Sequence, residues 1–216
     1  MNVAPRRVFA GPAERPRLEA ALSRRLLSMT PLPIGAKLAG RVQRLIGEAQ
    51  RGGARFFPGL PTIADDRMPP TVIFDANPAW ALLREDVFAP VLAVVPVADM
   101  TEALALDRRC PYALGAAVFG PEGEARKLAT HVRAGSVIIN DLIVPTADAR
   151  LPFGGRGESG YGVTRGSEGL LAMTAVKTVC VRSGRFRPHY APHETQADIV
   201  LAYLRAEHGS GPRARV

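Results

Sequence analysis

The side chains best suited to nucleophilic chemistry in this sequence of 216 residues are its two cysteines, Cys110 and Cys180. A cysteine attacks as its thiolate, which positive charge or a helix N-terminus favours. Cys110 follows Arg108 and Arg109 at the predicted end of a helix, where carbonyl oxygens disfavour an anion, so we interpret it as a packing residue. Cys180 lies within a predicted strand and is interpreted as structural.

A second candidate is the segment 155–160 (GRGESG), which matches the G-x-G-x-x-G pattern of dinucleotide-binding loops. Such a loop requires a preceding strand, a following helix and a carboxylate about 20 residues further on. Pro152 precedes the match, Tyr161 follows it, and residues 175–180 contain no carboxylate. We therefore interpret the match as accidental. The histidines and cysteines lack the spacing of a zinc site, and we expect no metal.

The elements that must position any site alternate between strands and helices, which predicts an α/β fold with a mainly parallel sheet. In the predicted helix 36–50, apolar residues recur on one face, and Asp99 with Glu102 forms a capping box at the start of another helix. Helices are expected at 17–29, 36–50, from 99, 121–135, 166–173 and 194–205, and strands at 7–10, 71–74, 91–97, 114–119, 136–140 and 175–182.

The composition, with 47% hydrophobic and 22% charged residues, is that of a globular protein. A net charge of +8 is compatible with a nucleic-acid or anionic-membrane partner. The basic pairs are scattered and only 6% of residues are aromatic, so we expect no nucleic-acid partner. The longest apolar run, 87–98, contains two prolines and is too short to span a bilayer, and we expect no membrane association. No apolar signal segment occurs near the N-terminus, which predicts a cytoplasmic location.

Several short segments carry information through their order along the chain and the spacing between them. These are 84–91 (REDVFAPV), 110–115 (CPYALG), 135–140 (GSVIIN), 151–155 (LPFGG), 159–162 (SGYG), 166–170 (GSEGL) and 177–179 (KTV). Together they resemble the C-terminal signature of the aldehyde dehydrogenase superfamily, whose corresponding blocks include EEIFGPV, SPYGLG, GTVWIN and PFGG. The resemblance covers about residues 2–182, and it is specific because all blocks agree at once.

The resemblance also implies what the chain lacks. Residues 3–9 (VAPRRVF) resemble the segment just after the family's catalytic cysteine, so the nucleophile position falls on Asn2, which has no thiolate. The general-base glutamate and the N-terminal nucleotide-binding fold would precede this point and are expected to be absent. We therefore expect the C-terminal portion of an NAD(P)+-dependent aldehyde dehydrogenase that is inactive alone and does not bind NAD or NADP tightly. The alternative is a non-catalytic interaction module that pairs with intact subunits or with a separately encoded N-terminal half.

By the same resemblance, Asp86 and Phe88 are the cofactor-binding residues. Asp86 takes the place of the glutamate that binds the nicotinamide ribose hydroxyls, but it is one methylene shorter. Phe88 matches the phenylalanine that packs beside this ribose. A solvated loop acid and a core phenylalanine remain the alternatives. Phe153 matches an aromatic residue of the substrate tunnel, and Leu142 and Ile143 would give that tunnel an apolar wall for an aldehyde.

The expected architecture is an aldehyde dehydrogenase-like catalytic-domain sheet with flanking helices and a C-terminal oligomerisation strand. Residues 1–150 form the catalytic-domain portion, 151–182 the glycine-rich return segment with that strand, and 183–216 a basic tail with a short helix. Strand 175–182 requires a partner edge, which a second copy of the chain or an N-terminal half would supply.

Overall fold

The computed structural model describes residues 4–142, 147–181 and 192–208. The chain divides into two compact units, Met1–Ala175 and Val176–Val216. The helices are α1 (Arg15–Leu26), α2 (Ala36–Arg51), α3 (Ala81–Arg84), α4 (Met100–Asp107), α5 (Glu122–Ala129), α6 (Gly166–Ala172) and, in the second unit, α7 (His193–His208). The strands are β1 (Arg7–Ala10), β2 (Leu32–Pro33), β3 (Arg55–Phe57), β4 (Arg67–Met68), β5 (Thr71–Phe74), β6 (Val91–Pro96), β7 (Tyr112–Ala113), β8 (Gly115–Val118), β9 (Ser136–Ile139) and β10 (Arg156–Gly157).

The core of the first unit is a four-stranded sheet with the order β1-β6-β5-β3. Strands β1, β6 and β5 run parallel, and β3 is antiparallel to β5. Successive residues of a strand point to opposite faces. Ile73, Ala93 and Val95 accordingly pack with α2, whereas Val72 and Val94 belong to the cluster that includes Leu26 of α1. Both faces of β5 and β6 are covered, which explains their nearly continuous apolar sequence.

The helix ends follow the predicted capping chemistry. The apolar face of α2 is buried as predicted, through Val42, Leu45, Ile46 and Ala49. The helix ends at Arg51 with Gly52 as its C-cap residue, and Gly53 adopts a left-handed φ of 86°, which glycine tolerates without a Cβ clash. At the start of α4 the backbone N–H of Glu102 donates to Asp99 Oδ1 at 2.9 Å, and the Glu102 carboxylate accepts from the N–H of Ala98 at 2.7 Å.

Three predictions in the middle of the chain require correction. The parallel strands do not all join one sheet, because β8 and β9 pair with each other as a separate two-stranded sheet. The predicted strand 114–119 is shorter, and the preceding β7 pairs instead with β10. The predicted helix 121–135 ends at Ala129, where i to i−3 hydrogen bonds from His131 and Val132 tighten the chain into a turn.

The predicted strand 175–182 is not formed by its described residues, 175–181. A strand requires backbone hydrogen bonds to a neighbouring strand, and none of the described residues pairs with this segment. The segment is therefore not a strand in the single chain, and its pairing with another subunit stays a prediction. Val176, Val179 and Val181 are largely exposed there.

The second unit contains α7, which confirms a helix in the tail and extends the prediction of 194–205. Several apolar side chains of α7 are about half exposed, namely Val200, Leu201, Tyr203 and Leu204. Among the helices of the described ranges, none combines the length and the apolar character needed to cross a membrane.

Candidate functional site

The segment that follows α3 carries the predicted cofactor-binding residues. Helix α3 ends at Arg84 because Glu85 turns to an extended conformation, with a ψ of 155°. The Glu85 carboxylate is held by Arg41 of α2, whose Nε and Nη2 donate to Oε2 at 3.0 and 2.8 Å. Arg44 lies 3.8 Å from the other oxygen of the same carboxylate. The segment is therefore anchored to α2 immediately before Asp86.

Asp86 is held from the other side by Arg6, the residue before β1. Arg6 Nη1 donates to Asp86 Oδ1 at 3.4 Å, and Arg6 Nη2 donates to the backbone carbonyl of Glu85. The side chains of Arg6 and Asp86 are 25% and 40% exposed, so the pair is only partly desolvated. Burial lowers the pKa of the Arg6 guanidinium, and the charge of Asp86 opposes that shift.

The two oxygens of the Asp86 carboxylate differ in their partners. Oδ1 accepts from Arg6, whereas no donor among residues 4–142, 147–181 and 192–208 hydrogen-bonds to Oδ2. A carboxylate oxygen in this state can accept hydrogen bonds from the hydroxyl groups of a ligand. Phe88, two residues further on, is 55% exposed, which does not fit the alternative of a core phenylalanine. An acceptor and an apolar ring are thus accessible on one short segment.

Tyr112 connects this segment to the glycine-rich region. Tyr112 pairs with Gly157 of β10, so Glu158 follows directly, and the charges of Glu158, Asp86 and Arg6 act on the Tyr112 hydroxyl. Desolvation raises the pKa of Tyr112, and the charge and hydrogen bond of Glu158 raise it further. Around this contact, Ser159 Oγ accepts from the N–H of Ala113 at 2.9 Å. Side chains therefore reinforce the two-residue pairing of β7 with β10.

The glycines of residues 154–162 allow backbone segments to touch one another. A Cβ on Gly154 would overlap the carbonyl oxygen of Gly162, and a Cβ on Gly135 would overlap the carbonyl oxygen of Gly154. Gly157 has a left-handed φ of 62° and would place a Cβ 2.5 Å from the Pro111 carbonyl oxygen. Segment 155–160 contains β10 and a turn, and the next helix begins only at Gly166. It lacks the strand–loop–helix geometry of a dinucleotide-binding loop.

Phe153 lies at the edge of this region. Its backbone pairs with Thr164 through two hydrogen bonds of 2.8 Å, and the Arg165 guanidinium lies 5.4 Å from the centre of its ring. The structure therefore brings Phe153 together with Thr164 and Arg165. Leu142 is exposed. Ile143 and Asn2 lie outside the described residues.

The cysteines occupy two different environments. Cys110 is buried, and its thiol faces the Leu83 carbonyl oxygen at 3.9 Å, which agrees with its interpretation as a packing residue. Helix α4 ends three residues before it, at Asp107. Cys180 is exposed in the unpaired segment 175–181. In the part of the chain that the structure describes, no group of three His, Cys, Asp or Glu residues could hold a metal ion.

Sequence reasoning missed three residues of this cluster: Arg6, Tyr112 and Glu158. Arg6 and Asp86 are 80 residues apart, and only the parallel pairing of β1 with β6 brings them together. Tyr112 and Glu158 come near each other through the pairing of β7 with β10. Strands of two residues are too short to be predicted from a sequence pattern. The one available signal was that Arg6 directly precedes a β-branched and aromatic run.

Comparisons with known proteins place this geometry in a family. The sequence profile of the Aldehyde dehydrogenase family matches residues 21–179. This chain belongs to the aldehyde dehydrogenase family. The match extends over the second half of α1, strands β3, β5 and β6 of the four-stranded sheet, the Asp86 segment and the glycine-rich region, and it stops just before Cys180.

Curated relatives and solved aldehyde dehydrogenase structures agree with this assignment. An aldehyde dehydrogenase-like protein of Saccharomyces cerevisiae is 32% identical over 64% of this chain and 22% of its own length. The NADP/NAD-dependent aldehyde dehydrogenase PuuC of Escherichia coli is 31% identical over 66% of this chain and 29% of its own length. The structure of NADP-dependent glyceraldehyde-3-phosphate dehydrogenase from Bacillus halodurans, complexed with NADP, has a TM-score of 0.72 and 29% identity, and the match covers 80% of this chain and 38% of that chain. The chain thus spans less than a third of the length of these two curated relatives.

Proposed function

We propose that this chain acts as the C-terminal portion of an NAD(P)+-dependent aldehyde dehydrogenase, an oxidoreductase that converts an aldehyde to a carboxylic acid. The observation that carries the proposal is that Asp86 Oδ2 has no donor among the described residues and that the ring of Phe88, two residues further along the chain, is exposed. By the resemblance of residues 84–91 to the family's EEIFGPV block, both residues would bind the nicotinamide ribose. The chain then supplies binding surface to the active site, while its own side chains do not supply the nucleophile.

The residues present fit a nicotinamide ribose. Ribose hydroxyls are hydrogen-bond donors, and Asp86 Oδ2 is an acceptor without another donor among the described residues. The exposed Phe88 ring offers a flat apolar surface beside it. When bound, NAD(P)+ accepts the hydride that leaves the aldehyde carbon. Asp86 would bind and orient the ribose, and Phe88 would limit the positions that the ribose can take.

By the same resemblance, the aldehyde itself would lie along a wall that includes Phe153 and Leu142, whereas Ile143, the third residue predicted for this wall, lies outside the described residues. The backbone of Phe153 is hydrogen-bonded to that of Thr164, and the Arg165 guanidinium lies over the Phe153 ring. The side chain of Leu142 is exposed. An apolar wall of this kind favours an apolar aldehyde over a charged one.

We further propose that the chain does not oxidise aldehydes alone. It has two cysteines, and Cys110 is buried against the Leu83 carbonyl, where no aldehyde can reach its sulphur. Cys180 lies in the exposed segment 175–181, where none of the described residues donates a hydrogen bond to its sulphur. Asn2, at the family's nucleophile position, has no thiolate. We also propose that the chain binds NAD or NADP only weakly, because Asp86 and Phe88 would contact the nicotinamide ribose alone.

Dinucleotide binding by the whole chain tests the first part of the proposal. Saturation-transfer difference NMR detects weak ligands, and the signals of the nicotinamide ribose protons of NAD+ report on this contact. We expect these signals with the wild type and markedly weaker signals with Asp86→Asn. The matched control is Asp107→Asn, because Asp107 pairs with Arg7 at 3.1 Å as Asp86 pairs with Arg6. Equal ribose signals in wild type and Asp86→Asn would refute the assignment of Asp86.

An activity assay tests the second part. The purified chain, incubated with NAD+ or NADP+ and an aliphatic aldehyde, is expected to form no NADH or NADPH. Turnover that persists in the Cys110→Ala/Cys180→Ala double variant would show that another group acts as nucleophile and would overturn the argument from the cysteines.

A second candidate function is a non-catalytic interaction module. It is favoured by the exposure of Val176, Val179 and Val181 on a segment without a partner strand among the described residues. Such a segment adds to the sheet of another subunit when an edge is available. Size-exclusion chromatography of the chain mixed with an intact relative tests this. Co-elution supports the module, and two independent peaks count against it.

A further inference from the structure

We propose that Arg6 is a positioning residue that fixes the carboxylate of Asp86 so that its Oδ2 faces the nicotinamide ribose. The identity of the ligand rests on the proposed function. Arg6 itself would not touch the ribose and would act through Asp86.

The position of Arg6 is set by the sheet. Its carbonyl accepts from the N–H of Ala93 at 2.9 Å, which fixes its backbone at the start of the β1–β6 pairing. Its side chain is 25% exposed, less than that of Asp86. Arg6 is the more buried member of the pair and also donates to the Glu85 carbonyl, so we infer that the contact positions the more exposed carboxylate.

One guanidinium holds two successive residues of the Asp86 segment. Nη1 donates to the carboxylate of Asp86, and Nη2 donates to the carbonyl of Glu85. The planar guanidinium presents these donors in a fixed geometry, which fixes the backbone and the side chain of the segment together. Arg41 holds only the carboxylate of Glu85 and makes no contact with the Asp86 side chain in the described residues. Arg6 is thus the residue that determines the orientation of Asp86.

This constraint matters more for an aspartate than for a longer acid. Asp86 is one methylene shorter than the glutamate in the EEIFGPV block that it resembles, so its reach depends on a single χ1 rotamer. An aspartate that is 40% exposed and unrestrained would sample several staggered rotamers, and only some of them direct Oδ2 outward. The contact of Oδ1 with Arg6 selects among these rotamers and leaves Oδ2 available.

The first test measures NAD+ affinity by NMR titration in a double-variant cycle. We expect Arg6→Gln to weaken binding roughly 3- to 30-fold, as neighbouring coupled groups do, and Arg6→Lys to restore part of the loss. In the Asp86→Asn background, Arg6→Gln is expected to have no further effect. The matched control is Arg7→Gln, which removes the ion pair between Arg7, the residue next to Arg6, and Asp107. Equal weakening by Arg6→Gln in both backgrounds would show that Arg6 does not act through Asp86 and would overturn the inference.

The second test needs no dinucleotide, so it separates this inference from the proposed function. Couplings between the backbone nitrogen and Cγ of Asp86, measured by NMR on labelled chain, report its χ1 rotamer. One rotamer is expected in the wild type and in Arg7→Gln, and averaged couplings are expected in Arg6→Gln. Averaged couplings already in the wild type would overturn the inference. Absence of any NAD+ signal with an ordered Asp86 would instead overturn the proposed function alone.

Discussion

The hydroxyl of Ser159 accepts a hydrogen bond from the backbone N–H of Ala113 at 2.9 Å, and this contact joins β7 to the turn that follows β10. Tyr112, the other residue of β7, lies in the electrostatic field of Glu158, Asp86 and Arg6. The glycine-rich region and the candidate ribose-binding segment therefore both act on β7. Neither strand of the β7–β10 pair is long enough to fix this arrangement by backbone hydrogen bonds alone.

The pKa of Tyr112 is the first testable consequence. Desolvation raises it, and the Glu158 charge and hydrogen bond raise it further, so Glu158→Gln should lower the pKa toward the ordinary value of about 10. Arg6→Gln should raise it, because Arg6 opposes the shift. Phenolate absorbance during a pH titration, with the Tyr112→Phe curve subtracted, measures this. Identical Tyr112 titrations in wild type and Glu158→Gln would contradict an electrostatic effect of Glu158 on the Tyr112 hydroxyl.

The same shift has a consequence for stability. The neutral phenol of Tyr112 is favoured more in the folded chain than in the unfolded chain. Its contribution to the free energy of unfolding is therefore present below the pKa that Tyr112 has in the unfolded chain, and it is lost as the pH rises through the pKa of the folded chain. The stability difference between wild type and Tyr112→Phe should therefore change only in the alkaline range. Urea unfolding at neutral and alkaline pH checks this, and a change confined to acidic pH would be inconsistent with it.

Arg55 of β3 is the second case, because it connects three elements. It donates to Asp75 after β5 at 2.9 and 3.0 Å and to Glu19 of α1 at 3.1 Å, and its guanidinium lies 4.7 Å from the Phe74 ring centre. Arg55→Gln should lower the free energy of unfolding by about 1 kcal/mol, a modest value because the side chain is half exposed. Urea unfolding measures this. Arg126→Gln, which breaks only the exposed pair with Glu122, is the control and should cost less than about 0.5 kcal/mol. Equal losses would argue against a network at Arg55.

Close backbone packing at Gly154 gives a third prediction. A Cβ there overlaps the Gly162 carbonyl and lies 3.1 Å from Val163 Cγ1, so Gly154→Ala should destabilise the chain by about 1 to 3 kcal/mol through a forced backbone shift. Gly123→Ala is the matched control, since nothing lies within 4 Å of its Cβ and it stands in the first turn of α5. That change should stabilise by about 0.5 kcal/mol, because alanine is the better helix former. Thermal unfolding of both variants tests the sign, and destabilisation of similar size in each would contradict the described packing.

The exposed segment 175–181 gives a fourth prediction. If it pairs with another subunit, Val179→Asp should shift the chain toward the monomer, because a charge at that position would be buried in the pairing. Sedimentation velocity at several concentrations measures the distribution. Leu60→Asp alters an exposed apolar residue elsewhere and should leave the distribution unchanged. A wild type that stays monomeric at every concentration would exclude a homo-oligomer through this segment.

Local patterns predicted the elements that rest on local physics. The buried face of α2, the Asp99–Glu102 cap of α4 and the apolar run of β6 each follow from residues within one turn or one strand. The resemblance of short blocks predicted the family, which the profile match over 21–179 establishes. The position of Asp86 and Phe88 on one segment also followed from those blocks.

What the sequence could not provide depends on contacts across the fold. The pairing of Arg6 with Asp86 joins residues 80 positions apart, and no periodicity records it. The separation of β8 and β9 from the main sheet depends on which edges are available, which composition does not reveal. The strand predicted at 175–182 had the right residue types, but a strand also needs a neighbour, and the described chain provides none there.

The most direct measurement is a crystal structure of the chain grown with NAD+ at saturating concentration. The account predicts a nicotinamide ribose hydroxyl oxygen within about 2.6–3.2 Å of Asp86 Oδ2, the Phe88 ring against that ribose, and the Oδ1 contact with Arg6 retained. A dinucleotide bound elsewhere with Asp86 Oδ2 facing solvent would contradict it, and so would an Asp86 segment without bound NAD+.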